Sequence, residues 1–215
     1  MNYVYRWIVY IYSKAKIMNP AFSVLLISDA LSPTNTIYEG LKNSGASAIH
    51  TCAATESFLQ VLDSVQVDLI VLDVDKPSVD LFEQFTVVQE FCPKPIVCFS
   101  NDSDSKVIEK SVKAGVAAYI VDGKSEERIK PIIDVAILRF NQCQAVKKEL
   151  AQVKDKLSER AVIEKAKGLL IEHKNMTEND AYKTLRKMAM DQGKKISVVA
   201  HEVCGVLIGL EGISS

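Results

Sequence analysis

Five short apolar runs, each leading into an amphipathic stretch, constrain the fold of this chain more than any other feature. They are Ser23–Ser28, Ala48–Cys52, Val67–Leu72, Pro95–Phe99 and Ala117–Val121. They are short and mostly apolar, without strict alternation, as expected of strands covered on both faces. The stretches between them, Asn35–Asn43, Glu56–Ser64, Leu81–Phe91 and Lys106–Lys113, carry helical periodicity. Five such repeats predict an α/β fold with a doubly wound five-stranded parallel sheet, in which chemistry collects beyond the carboxyl ends of the strands. Those ends hold Ser28, Asp29, Asp73, Ser100 and Asp122.

Beyond the sheet, an unbroken charged run begins near Ser125 and meets no glycine until Gly168. Ile129, Ala136, Cys143, Leu150 and Leu157 recur every seven residues, with Ile132, Val146 and Val153 three further on in their heptads. That spacing predicts a coiled-coil seam and a homodimer, with the first part of the helix packed on the sheet. Three amphipathic helices then follow, on faces formed by Val162, Ala166 and Leu170, by Ala181, Leu185 and Ala189, and by Val199, Val203 and Leu207. Thr177 with Asp180 three residues on predicts an N-cap for the second helix, and Gly193 predicts its end. Gly168 lies inside the first helix at a cost of about 1 kcal/mol against alanine, which suggests a close approach by a neighbouring helix or a ligand.

The expected organisation is therefore an N-terminal extension over residues 1–21, a sheet domain over 22–124, a linker helix or coiled coil over 125–157, and a three-helix domain over 158–215. The extension carries an aromatic and β-branched run, Tyr3–Tyr12, too short to span a bilayer. Met18 is an alternative start that would leave residues 1–17 untranslated.

With 26 basic and 27 acidic residues in 215, the formal net charge is −1, so any nucleic-acid site must be local. Five scattered cysteines without a Cys-x-x-Cys pair argue against a disulfide framework and a zinc site, and point to a reduced, cytoplasmic protein. His50, His173 and His201 stand alone, and neither a phosphate-binding glycine loop nor a nucleophile arrangement is present. These observations predict a protein without enzymatic activity, metal or cofactor.

Residues 23–139 resemble the receiver domains of two-component response regulators. By that resemblance Asp73, within Asp68-Leu-Ile-Val-Leu-Asp73, occupies the phospho-acceptor position, Ser100 the hydroxyl position and Tyr119 the aromatic switch position. Two departures stand out. Ser28 precedes Asp29 where receivers carry an acidic pair for Mg²⁺, and Asp122-Gly123 stand where receivers carry a lysine followed by proline. A second carboxylate about 5 Å from the first would repel it by roughly 3 kcal/mol at an effective dielectric near 20. The expectation is a pseudo-receiver with a vestigial pocket of Ser28, Asp29, Ser100 and Asp122, in which Asp73 is not phosphorylated.

The C-terminal segment resembles the ANTAR module of transcription antiterminators of the AmiR and NasT type. The resemblance rests on Glu164-Lys-Ala-Lys-Gly-Leu-Leu170 and on the stretch from Thr177 to Met190. It implies binding to paired hairpins of a leader RNA, and a receiver that docks a ligand-sensing partner of the nitrate or nitrite type. Between Ala161 and Ala200, eight basic residues face five acidic ones, so affinity should come from a few placed contacts. The candidate RNA-binding residues are Lys165, Lys167, Gly168, Lys174, Tyr182, Lys183, Arg186 and Lys187. Two alternatives stay open: a regulator switched by phosphorylation of Asp73, and a DNA-binding transcription factor with a helix in the major groove.

Overall fold

The structure is a computed structural model that describes residues 22–29 and 35–211. The run Tyr3–Tyr12 and the alternative start at Met18 lie outside the described residues, as do residues 212–215. The chain divides between Gln144 and Ala145 into two compact units.

The first unit is built on strands β1 (Phe22–Ser28), β2 (Ala46–Ala53), β3 (Leu69–Asp73), β4 (Ile96–Ser100) and β5 (Ala118–Val121). Between them run helices α1 (Asn35–Asn43), α2 (Phe58–Ser64), α3 (Val79–Phe91) and α4 (Ser105–Lys113). All strand pairs are parallel, in the order β2-β1-β3-β4-β5. The predicted doubly wound sheet is therefore present, and its order reverses between β1 and β3, where such folds place their sites.

The nearly continuous apolar character of the central strands β1, β3 and β4 follows from burial on two faces, while the edge strands β2 and β5 are only partly buried. Leu25, Ile27, Ile70, Leu72, Ile96 and Cys98 face a core closed by Phe58 of α2 and by Leu81, Phe82, Phe85 and Val88 of α3. The alternate residues Val24, Leu26, Leu69, Val71, Val97 and Phe99 face a second core closed by Ile37 and Leu41 of α1. Ile129, Ile133 and Ala136 complete that second core. They belong to the start of α5 (Glu126–Lys174), so the first part of the long helix packs on the sheet as expected. Gly40 of α1 lies against Ile129, where a Cβ would collide with its side chain. Pro131 falls early in α5, where the lost backbone donor matters least.

The second unit contains the remainder of α5, then α6 (Glu178–Gln192) and α7 (Ile196–Glu211). Asn175, at φ 50°, ends α5. The Thr177 hydroxyl caps α6 by accepting from the Asp180 amide at 3.2 Å, and Gly193 at φ 63° closes it in the left-handed region. Ala166 and Leu170 of α5, Ala181, Leu185 and Ala189 of α6, and Val199, Ala200 and Val203 of α7 form a single small core. Burying a leucine such as Leu185 contributes about 2 kcal/mol.

Candidate RNA interface and the receiver pocket

At the carboxyl end of the sheet, register sets Ser28 beside Asp73 and Asp73 beside Phe99. Both Ser28 and Asp73 are buried, while Asp29 is exposed. Asp29 Oδ2 accepts from the Asp75 amide at 2.8 Å, and so braces the loop that follows β3. Ser100 is fully buried, and its hydroxyl is engaged twice: it donates to the Asp75 carbonyl at 2.8 Å and accepts from the Asp102 amide at 3.1 Å. Tyr119 is half-buried and donates to the Asp102 carbonyl at 2.9 Å, tying down the loop after β4. Burial pushes its phenol up, against a lowering by the Ser100 hydrogen bond.

The inverted charge expected at the end of β5 is corrected by Lys124. Asp122 adopts a left-handed conformation at φ 50° and is exposed, so its carboxylate faces solvent. The turn carries Lys124 back over the strand ends, where its Nζ lies 2.8 Å from Asp73 Oδ1. A cation thus compensates the buried Asp73 carboxylate, as a charge at that depth requires. The sequence signal was available: Asp-Gly favours a turn, and a turn can return the lysine one residue beyond it. Beneath the pocket, burial above all, and then the Asp73 charge, push the Cys98 thiol up to about 12. The replacement of one acidic position by Ser28 stands unchanged.

In the second unit, Lys165, Gly168, Lys174, Tyr182, Lys183, Arg186 and Lys187 are all exposed. Tyr182, at 44% exposure, is a surface residue and takes no part in the core. On α6, Tyr182 and Arg186 are four residues apart, as are Lys183 and Lys187, so the four share one side of the helix. Among the described residues no ion pair engages Lys165, Lys174, Lys183, Arg186 or Lys187. Their charges are open to an anionic partner.

Lys167 differs from these. It is only 9% exposed, and its ammonium lies 2.8 Å from Glu164 Oε2 and 2.8 Å from Glu178 Oε1. The hydrogen bonds its ammonium donates to the two carboxylates hold its pKa above the ordinary 10.5, and Glu178 is correspondingly held below 4.5. The residue therefore fastens the first turn of α6 to α5, and is not an open phosphate grip. Glu164, three residues before Lys167, was legible as a helical partner, whereas Glu178 is brought there only by the turn between the helices. Gly168 also departs from one expectation. Among the described residues nothing lies within 4 Å of where its Cβ would be, so no described helix accounts for the glycine by packing.

Residues 151–203 match the model of the ANTAR domain. The chain carries an ANTAR domain. It is 28% identical over 184 residues to the transcriptional regulatory protein PdtaR of Mycobacterium tuberculosis, covering 86% of this chain and 90% of that protein. It is 35% identical over 77 residues to the nitrate regulatory protein of Klebsiella oxytoca, covering 36% of this chain and 19% of that protein. A chemotaxis response regulator of Vibrio cholerae superposes with a TM-score of 0.46 at 18% identity, covering 54% of this chain and 98% of that one. A receiver domain from Pseudomonas fluorescens superposes with a TM-score of 0.48 at 20% identity, covering 57% and 98%. The ANTAR match begins seven residues before the boundary drawn from the sequence at 158, within α5. Among the described residues, no helix is long and apolar enough to cross a membrane.

Proposed function

We propose that the chain is a cytoplasmic, non-enzymatic antitermination regulator whose ANTAR unit binds paired hairpins of a leader RNA. The carrying observation is the open cluster of Tyr182, Lys183, Arg186 and Lys187 on one side of α6, within an ANTAR domain. Each residue type has a use there. The lysines neutralise phosphates, the Arg186 fork bonds a phosphate or a base edge in bidentate fashion, and the Tyr182 ring stacks on an unpaired loop base. The local surplus of positive charge is small, so a few contacts supply the affinity and its salt dependence is shallow. Lys165 and Lys174 add exposed cations on α5, nine residues apart and so on opposite sides of the helix, and Gly168 leaves room for a backbone to approach. Lys167 acts indirectly, by fixing α6 against α5.

The exposed seam of α5 brings two copies together as a homodimer, and each copy then offers one RNA-binding face to one hairpin. The receiver unit docks a ligand-sensing regulatory protein, and sequestration by that partner is the switch. Similarity to a nitrate regulatory protein supports nitrate or nitrite assimilation as the pathway.

The test is binding of the purified chain to a two-hairpin leader RNA and to duplex DNA of similar charge, at two salt concentrations. Selective hairpin binding, lost in Lys183→Ala/Arg186→Ala/Lys187→Ala, supports the reading, and equal affinity for the DNA duplex overturns it in favour of the transcription-factor alternative. A second reading, control by phosphorylation of Asp73, is favoured by the Lys124 ammonium at 2.8 Å. Acetyl phosphate separates the two: a phosphorylated product lost in Asp73→Asn, with a change in RNA affinity, supports the second reading, and its absence supports control by the partner.

A further inference from the structure

Along α5 from Cys143 to Leu157, every seam residue is exposed: Cys143, Leu150 and Leu157 at the first seam position of their heptads, Val146 and Val153 at the second. The residues on either flank of this stripe are charged. Lys147 and Lys154 each follow the second seam position, and Glu149 and Lys156 each precede the first. All four are exposed, and among the described residues no ion pair engages them. Charged flanks confine the apolar surface to a narrow stripe, which one further helix is enough to cover.

The homodimer proposed above leaves open the direction in which its two helices run, and the flanking charges decide it. In a parallel, in-register pair, the residue that precedes a heptad meets the opposite flank of the following seam position in the partner helix. Glu149 then faces Lys154 of the second copy, and symmetry makes this contact twice. Gln142 faces Lys147 and Lys156 faces Ala161, so no like charges meet. In an antiparallel pair set to keep Val146 on Leu157 and Leu150 on Val153, Glu149 meets Lys156, but Lys147 meets Lys154. The attraction on one flank is then offset by repulsion on the other.

Resting on the homodimer reading, we propose that two copies pair through Cys143–Leu157 in parallel and in register, with Glu149 of each copy against Lys154 of the other. The ANTAR units of both copies then follow the seam at the same end, and their two α6 faces serve two hairpins of one RNA. The same register sets Cys143 opposite its own counterpart.

Direction is read by the sign of a charge reversal in sedimentation equilibrium of the full chain. Lys154→Glu should raise the dimer dissociation constant about tenfold, since two exposed attractions become repulsions, and Glu149→Lys/Lys154→Glu should return it to within about twofold of the parent. Both residues are exposed on α5, so the helices should keep their circular dichroism. Register is read by the chain's own thiols, of which Cys92 and Cys143 are exposed and Cys52, Cys98 and Cys204 buried. Under copper-catalysed air oxidation, each Cys143 thiol gives up its proton and one electron to oxygen and the two sulfurs join. The covalent dimer should persist in Cys92→Ser and vanish in Cys143→Ser. A Lys154→Glu chain that pairs more tightly overturns the proposal in favour of antiparallel helices, and a dimer that oxidation does not join through Cys143 overturns the register. Either result leaves the homodimer standing. A tetramer, which leucine at the first seam position with valine at the second favours on core shape alone, also overturns it. A parent chain monomeric at every concentration overturns the homodimer reading itself.

Discussion

Two stretches of the same helix carry the same seven-residue repeat and meet opposite surroundings. Near its start, α5 buries Ile129, Ile133 and Ala136 completely in the core of the receiver-like unit. Further along, Val146, Leu150, Val153 and Leu157 remain 53–68% exposed at seam positions of the same repeat. A heptad pattern therefore states that a helix has an apolar stripe and leaves open what covers it. In the first stretch the cover is the sheet; in the second the stripe is exposed among the described residues, and the proposed homodimer is its cover.

The difference is sharpest in the response to truncation. Ile133→Ala should lower the unfolding free energy of the receiver-like unit by about 3 kcal/mol, independent of protein concentration, because it opens a cavity in a packed core. Denaturant melts at two concentrations check this. Leu150→Ala should change the same transition by less than about 0.5 kcal/mol. Leu150→Asp/Leu157→Asp should instead convert a dimer to a monomer in light scattering with the transition of the receiver-like unit intact. A parent chain that is monomeric at all concentrations would break the comparison.

A pair of glycines repeats the contrast on a smaller scale. Gly40→Ala sets a methyl group against Ile129 and should cost about 1–3 kcal/mol through overpacking. Gly168→Ala enters open space and should stabilise the ANTAR helices by about 1 kcal/mol, the difference in helix propensity. If the same substitution also weakens RNA binding, the glycine serves the partner's approach and not the fold.

The smallest effect expected is a pH dependence confined to the second unit. Glu178 is held below 4.5, so the stability from its link to Lys167 is present above that value and fades as the pH falls through the lowered one. Lys167 is held above 10.5, so its share is complete below that pH and fades as the pH rises through the raised one. Circular dichroism melts of the parent and of Glu178→Gln should converge at acid pH, and Lys167→Met should remove both dependences.

Much of the fold was legible because it follows from local pattern. The apolar runs placed all five strands, most firmly the central β1, β3 and β4, where burial on two faces leaves little choice of residue, and Thr177 and Gly193 marked the ends of α6 as their capping chemistry requires. The candidate sites were legible only in part, because charge pairing depends on where turns send side chains. Lys124 sits outside the position compared for the receiver lysine, and only the left-handed turn at Asp122 brings its ammonium to Asp73. Lys167 looked like its neighbours in sequence, yet the approach of α6 encloses it between two carboxylates. Tyr182, Lys183, Arg186 and Lys187 needed no such rearrangement, since the spacing along a single helix already placed them together.

The most direct measurement of the central claim is a fluorescence-anisotropy titration of a labelled two-hairpin RNA with the parent chain, with Lys183→Ala/Arg186→Ala/Lys187→Ala and with Lys167→Met. Loss of two to three phosphate contacts in the triple variant should weaken binding at least about tenfold and flatten the salt dependence, while its helices melt as in the parent. Lys167→Met should shift the melt of the ANTAR unit, and should affect RNA binding only as far as it loosens α6. Equal RNA affinity in the parent and the triple variant would contradict the assignment of this face of α6 as the RNA interface.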